Sequence, residues 1–281
     1  MNLSANQVHN NKPAPLLERI KRFGTKGLDY ARITLDDMCQ GDGTSCFHMF
    51  AKLGAVGELP AAWITPKFLV EFRDEDGNAP IHIAAEWGKL ASFPLHLKSR
   101  EHLLTRGKNE YTVFHFAAFS GSLDTIPSSL ITHSDMLLKS KVKKTPLHGA
   151  AACGQLNLVP QSLLTQECLF MRDSFRETPF YLAAEHGHLG QVPQALLTIE
   201  NLTDRGFTHN SLGAAILANK LDKVPIFREN HVCLMTQDAR DEWRVALEEA
   251  SETLKSANAL SVIETLSKDW SHIATRDWAS L

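Results

Sequence analysis

An all-α fold built as a helical solenoid is what this sequence predicts, and three markers that keep one period carry the prediction. Aligned on the glycine after an alanine-rich stretch, SCFHMFAKLG, APIHIAAEWG, TVFHFAAFSG, TPLHGAAACG and TPFYLAAEHG end at Gly54, Gly88, Gly121, Gly154 and Gly187, at steps of 34, 33, 33 and 33. A weaker copy, HNSLGAAILA, puts Ala214 and Ala215 31 residues after Ala183 and Ala184. Prolines 60, 94, 127, 160, 193 and 225 recur at steps of 34, 33, 33, 33 and 32. Five residues after each comes Thr65, Ser99, Thr132, Thr165, Thr198 or Asn230, and nine after each comes Leu69, Leu103, Met136, Leu169, Leu202 or Leu234. About six units on one period make a stacked array, because a single repeat cannot bury its own apolar face.

Each stretch then takes its place in order. Residues 1–27 are expected to be a disordered, Asn- and Pro-rich start leading into an N-terminal cap. The repeats run over 28–236, opening with a half repeat, LDYARITLDDMCQ, in which Thr34 and Met38 match Thr65 and Leu69. Within a full repeat, Thr145 accepts a backbone N–H and Pro146 sits at the first helical position, where its missing donor costs nothing. Ala150 and Ala151 are small enough for a neighbouring helix to approach, and Gly154 ends the helix in a left-handed conformation. Pro160 is expected to open a second helix, with Leu163 and Leu164 facing inward. TQECLF, with TPKFLV, SREHLL, TIENLT and NHVCLM at matching places, reads as an extra helical turn. Residues 237–281 lose the period, and helical spacing of Trp243, Val245, Leu247, Ala250 and Leu254 predicts C-terminal capping helices with a break near Asn258.

TPLHGAAACGQLNLV and TPFYLAAEHGHLGQV resemble ankyrin repeats, whose signature is Thr-Pro-Leu-His-x-Ala on a 33-residue period. The resemblance implies an ankyrin-type solenoid and a protein-binding scaffold. The usual Gly-Ala-Asp-Val-Asn loop is missing, so the fingers between repeats should be shortened or reshaped. The proline-and-threonine variant is similar to ankyrin proteins of bacteria, some of them effectors of intracellular bacteria.

Composition narrows the function. At 281 residues, 43% hydrophobic and 22% charged, the chain has material for about two ordinary domains and is neither collagen-like nor wholly disordered. A net charge of -3 gives no global pull toward nucleic acid or anionic membrane. Five cysteines with no Cys-x-x-Cys pair read as reduced thiols. The first residues lack the apolar core of a Sec signal, and no apolar run approaches the roughly 18 residues of a membrane span. A cytoplasmic protein is expected, or one delivered into a host cell by a route that uses no Sec signal.

The chemistry that tempts has structural explanations. His48, His82, His115 and His148 occupy one place in successive repeats and read as a ladder holding adjacent fingers, with Tyr181 and Leu212 at the later places. His186 and His188 lack the third and fourth ligands that zinc wants. No nucleophile elbow or phosphate loop is present, and Cys153 sits where a helix C-terminus disfavours its thiolate. No cofactor, metal or catalytic residue is expected; the alternative is an enzyme or effector site in the non-repeat tail.

The expected function is therefore non-catalytic: another protein, of acidic or mixed-charge surface, bound through the concave face. In ankyrin geometry that face takes the two residues before each helix-ending glycine and the finger residue before each threonine. Trp87, Tyr111 and Phe119 fall there as candidate anchors, with local packing as the competing reading. Lys108, Lys141, Lys143, Lys144 and Arg176 put positive charge on the fingers, Asp74, Glu75 and Asp76 make an earlier finger acidic, and His186 completes the candidate set. Nucleic acid and membrane are not expected as partners.

Overall fold

The computed structural model describes residues 15–39, 44–203, 211–218, 240–241, 243–248 and 262–264, which fall into two units, Met1–Ile131 and Thr132–Leu281. Helices and turns make up both, with no strand among the described residues.

In the first unit, α1 (Pro15–Phe23) packs on α3 (Cys46–Leu53) through the buried Leu17 and Ile20. Helix α2 (Leu35–Cys39) is the half repeat, where Thr34 Oγ1 accepts from the Asp37 N–H at 3.2 Å and Met38 is wholly buried. Helix α4 (Pro80–Glu86) stacks on α3, and α6 (Val113–Phe119) stacks on α4, with α5 (Arg100–Leu103) between them in sequence. The close approach rests on Ala84, Ala85, Ala117 and Ala118, all buried. Phe47, Phe50 and Phe114 fill the core beside them, each fully buried and worth about 1.5–3 kcal/mol.

The second unit repeats the plan. Helix α7 (His133–Met136) packs on α8 (Pro146–Ala152) and α9 (Gln166–Leu169) on α10 (Pro179–His186). Helix α10 also stacks on α8 and α12 (Ser211–Leu217), the last approached by α11 (Ile199–Thr203). The expected start and C-terminal caps lie largely outside the described residues. In the tail, 240–241, 243–248 and 262–264 are helical, with Trp243, Leu247 and Val262 buried.

One expectation needs correcting. The recurrent proline does not open a second helix; it divides it into two 3-10 turns, as in Leu156–Leu158 and Gln161–Leu163. The residue before a proline is driven out of the helical region, so the first turn must end at Leu158, and Val159 adopts ψ 157°. Pro160 itself is extended (ψ 134°), and Pro60, Pro94, Pro127 and Pro193 behave alike, with ψ from 128° to 148°. Leu156, Val159 and Leu163 still reach the core, whereas Leu164 is half-buried.

The extra helical turn is present. Thr165 Oγ1 caps α9 by accepting from the Cys168 N–H at 3.4 Å, and Ser99, Thr132 and Thr198 cap the matching turns. In the first repeat the place is taken by a π-helix, Lys67–Glu71, and the Thr65 hydroxyl has no such bond.

Candidate functional site

The histidine ladder fixes the fingers. Nδ1 of His48, His82, His115 and His148 accepts the backbone N–H of Ser45, Ala79, Thr112 and Thr145 at 3.3, 3.1, 3.1 and 3.2 Å. That acceptor role leaves the proton on Nε2. His48 Nε2 donates to the Asn78 carbonyl at 3.1 Å and His82 Nε2 to the Thr105 carbonyl at 2.9 Å, each holding the finger of the next repeat. Burial drives the His82 and His148 pKa values down to about 4 and lowers that of His48, so these rings stay neutral at pH 7. Tyr181 has no ring nitrogen to offer, so the Thr178 hydroxyl turns round and accepts the Tyr181 N–H at 3.0 Å.

The held fingers are tight turns of one design. Two backbone bonds close each: one from Asp74 N to Asn78 O at 2.8 Å, Gly107 N to Tyr111 O at 2.8 Å, Ser140 N to Lys144 O at 2.9 Å and Asp173 N to Glu177 O at 3.0 Å, and a second from Gly77, Glu110, Lys143 and Arg176 N back to the first residue's carbonyl at 2.9–3.2 Å. The residue before the last is left-handed every time: Gly77 (φ 81°), Glu110 (φ 60°), Lys143 (φ 59°) and Arg176 (φ 63°). Glycine accepts that conformation freely, whereas a side chain there costs about 1–2 kcal/mol.

In this geometry the residue that closes a finger turns back onto the protein. Asn78 is buried, and its Oδ1 accepts the Lys108 N–H at 2.8 Å. Lys144 is half-buried, its ammonium 3.1 Å from Glu177 and 3.7 Å from the buried Asp173. Lys108 meets Asp76 at 3.0 Å on the surface. The tip residues project instead, with Lys141, Lys143 and Arg176 all exposed.

In the first unit, the helix C-termini form a second surface. Ser120 Oγ donates to the Ala85 carbonyl at 2.7 Å, setting the end of α6 beside the end of α4. Trp87 caps α4 and is 52% exposed, and the Lys52 ammonium from the end of α3 lies over its ring at 4.0 Å. Leu53 beside it is 44% exposed. Tyr111 stacks on His115 at 5.1 Å and on Phe119 at 5.9 Å, with Phe116 edge-on at 5.7 Å. Tyr111 and Phe119 are thus together but half-buried, while Trp87 stands out with Lys52. In the second unit, Ala152, Cys153 and Glu185 are half-buried and His186 is exposed, 3.9 Å from Glu185. The side chains of Ile216 and Leu217, and Thr208, lie outside the described residues.

Two features escaped the sequence reading. The Lys52–Trp87 pair spans adjacent repeats, and its signal was that both lie in the two-residue step before a helix-ending glycine, Lys52 two before Gly54 and Trp87 one before Gly88. Phe175, 53% exposed in a turn of otherwise polar residues, has the Lys144 ammonium 5.7 Å from its ring.

Burial pushes the Cys46 thiol up to about 12 and raises Cys39, and Cys39, Cys46 and Cys168 are free thiols. Among the described residues no three His, Cys, Asp or Glu side chains gather to hold a metal, and no helix is long and apolar enough to cross a membrane. A comparison with known families matches residues 114–205 to ankyrin repeats, three copies of them. No curated protein matches the chain.

Proposed function

We propose that this chain, whose residues 114–205 match ankyrin repeats, a protein-interaction module, is a non-catalytic scaffold binding another protein through the helix-end face of its first unit. The observation that carries the reading is Trp87, a large indole held in solvent at 52% exposure with a lysine over one face. A buried core gains nothing from that arrangement, whereas aromatic anchors at protein interfaces need it. Leu53 extends the apolar area, and Phe119 adds a half-exposed ring on the neighbouring helix end. An effector, an inhibitor and an adaptor would all work this way, by covering a partner's surface with a rigid repeat face.

The test is affinity capture with wild type and Trp87→Ala, with thermal melts recorded for both. Tyr111 and Phe119 are left in place because their stack on His115 supports the finger. Loss of an anchor worth about 2 kcal/mol weakens capture roughly thirtyfold while leaving the melt nearly unchanged. Equal capture by both proteins would remove this face from the account.

A further inference from the structure

The second unit carries a surface that the helix-end face does not use. Its fingers, 139–145 and 172–178, are joined by the Ser174 N–H donating to the Val142 carbonyl at 3.0 Å, so their tips keep a fixed spacing. Both tips are cations in the left-handed conformation, Lys143 and Arg176, where Gly77 of the first unit shows the unstrained solution. With Lys141 they are exposed, and among the described residues none of these three side chains makes an ion pair. The carboxylates of the same turns are occupied: Lys144 lies 3.1 Å from Glu177 and 3.7 Å from Asp173. The edge is therefore positive despite its acidic residues, and Phe175 stands 53% exposed beside Arg176.

We infer that this finger edge, carrying Lys141, Lys143, Arg176 and Phe175, binds an acidic peptide segment of a partner protein that also presents an apolar side chain. The inference rests on the scaffold reading and names the chemistry of one of its contacts. Three exposed cations across two joined fingers match a few carboxylates along an extended chain, and Phe175 offers an apolar seat beside them. A nucleic acid would lay a continuous run of phosphates past Glu177 as well, on a chain whose net charge is -3. Single-strand binding also draws on several stacking rings, where this edge exposes Phe175.

The test uses the full chain and a fluorescein-labelled peptide of about eight residues, glutamates around a central leucine pair, long enough when extended (roughly 27 Å) to cross neighbouring fingers. A glutamine-for-glutamate peptide and a single-stranded thymidine oligonucleotide of similar length are the comparison probes. The acidic peptide is expected to bind, to weaken as salt is raised, and to outbind both others. Lys143→Gly/Arg176→Gly relieves the backbone strain, so this variant should melt a few degrees higher while binding the peptide roughly tenfold more weakly. Higher stability with weaker binding separates a recognition edge from a structural one.

Equal binding of the peptide by the glycine variant, equal binding of the glutamine peptide, or no binding of the acidic peptide overturns the inference. Tighter binding of the oligonucleotide also overturns it and reassigns the edge to nucleic acid. In any of those cases, capture that still depends on Trp87 leaves the scaffold reading intact.

Discussion

Acidification probes the histidine ladder without altering a residue. His82 and His148 are buried and neutral, with pKa values near 4 in the fold against 6.5 for a free imidazole. Above pH 6.5 neither state takes up protons, and the ladder's stabilisation is fully present. Below it the unfolded chain binds protons that the folded chain refuses, so stability falls until the folded pKa is reached. Two and a half pKa units correspond to about 3 kcal/mol per histidine once the loss is complete, and about 2 kcal/mol of it is gone at pH 5. The two residues lie in different units, so each unit should lose about 2 kcal/mol between pH 7.5 and 5, or roughly 4–8 °C of melting temperature. Ordinary carboxylates contribute little in that window, since they titrate near 4. Circular-dichroism melts at constant ionic strength give the slope, and NMR of the imidazole protons assigns it. His82→Gln/His148→Gln should be less stable at neutral pH and show a flatter dependence. A melt unchanged between pH 7.5 and 5, or a His82 ring titrating near 6.5, would refute the reasoning.

Two substitutions address the fingers and helix ends. Gly154→Ala puts a Cβ at a φ of +67° and 2.7 Å from His188 Nδ1, so chemical denaturation should show a loss of about 2 kcal/mol or more. Lys144→Met leaves the buried Asp173 and its neighbour Glu177 without their cation, and the same measurement should show a loss of roughly 1–3 kcal/mol. A neutral outcome for Lys144→Met would mean that water replaces the ammonium.

What the sequence disclosed was whatever the period enforces. Gly154 had to be left-handed because a helix ended there in every copy, and it is. Thr165 had to cap a turn because a capping residue stood ahead of an apolar anchor, and it does. Pro160 misled because proline at a first helical position and proline after an extended residue look alike in a string; Val159 ahead of it decided the outcome. The fingers were the least legible part. That Lys144 would turn back onto Asp173 while Lys143 projects depends on a turn whose tip is left-handed at a lysine. The hint was alignment of Gly77 with Glu110, Lys143 and Arg176 at steps of 33. The exposure of Trp87 was legible because its place lies outside the stacking positions, but its lysine lid was a matter of side-chain reach between repeats.

Hydroxyl-radical footprinting of Trp87, with the free protein and with its captured partner, bears most directly on the claim that the helix-end face is a binding surface. Trp63, half-buried and in edge contact with Phe47 at 6.5 Å, serves as the internal reference. Occupation of the face predicts strong oxidation of Trp87 in the free chain and suppression in the complex, with Trp63 unchanged. Oxidation of Trp87 at the same rate in both samples would show that the partner sits elsewhere and would contradict the account.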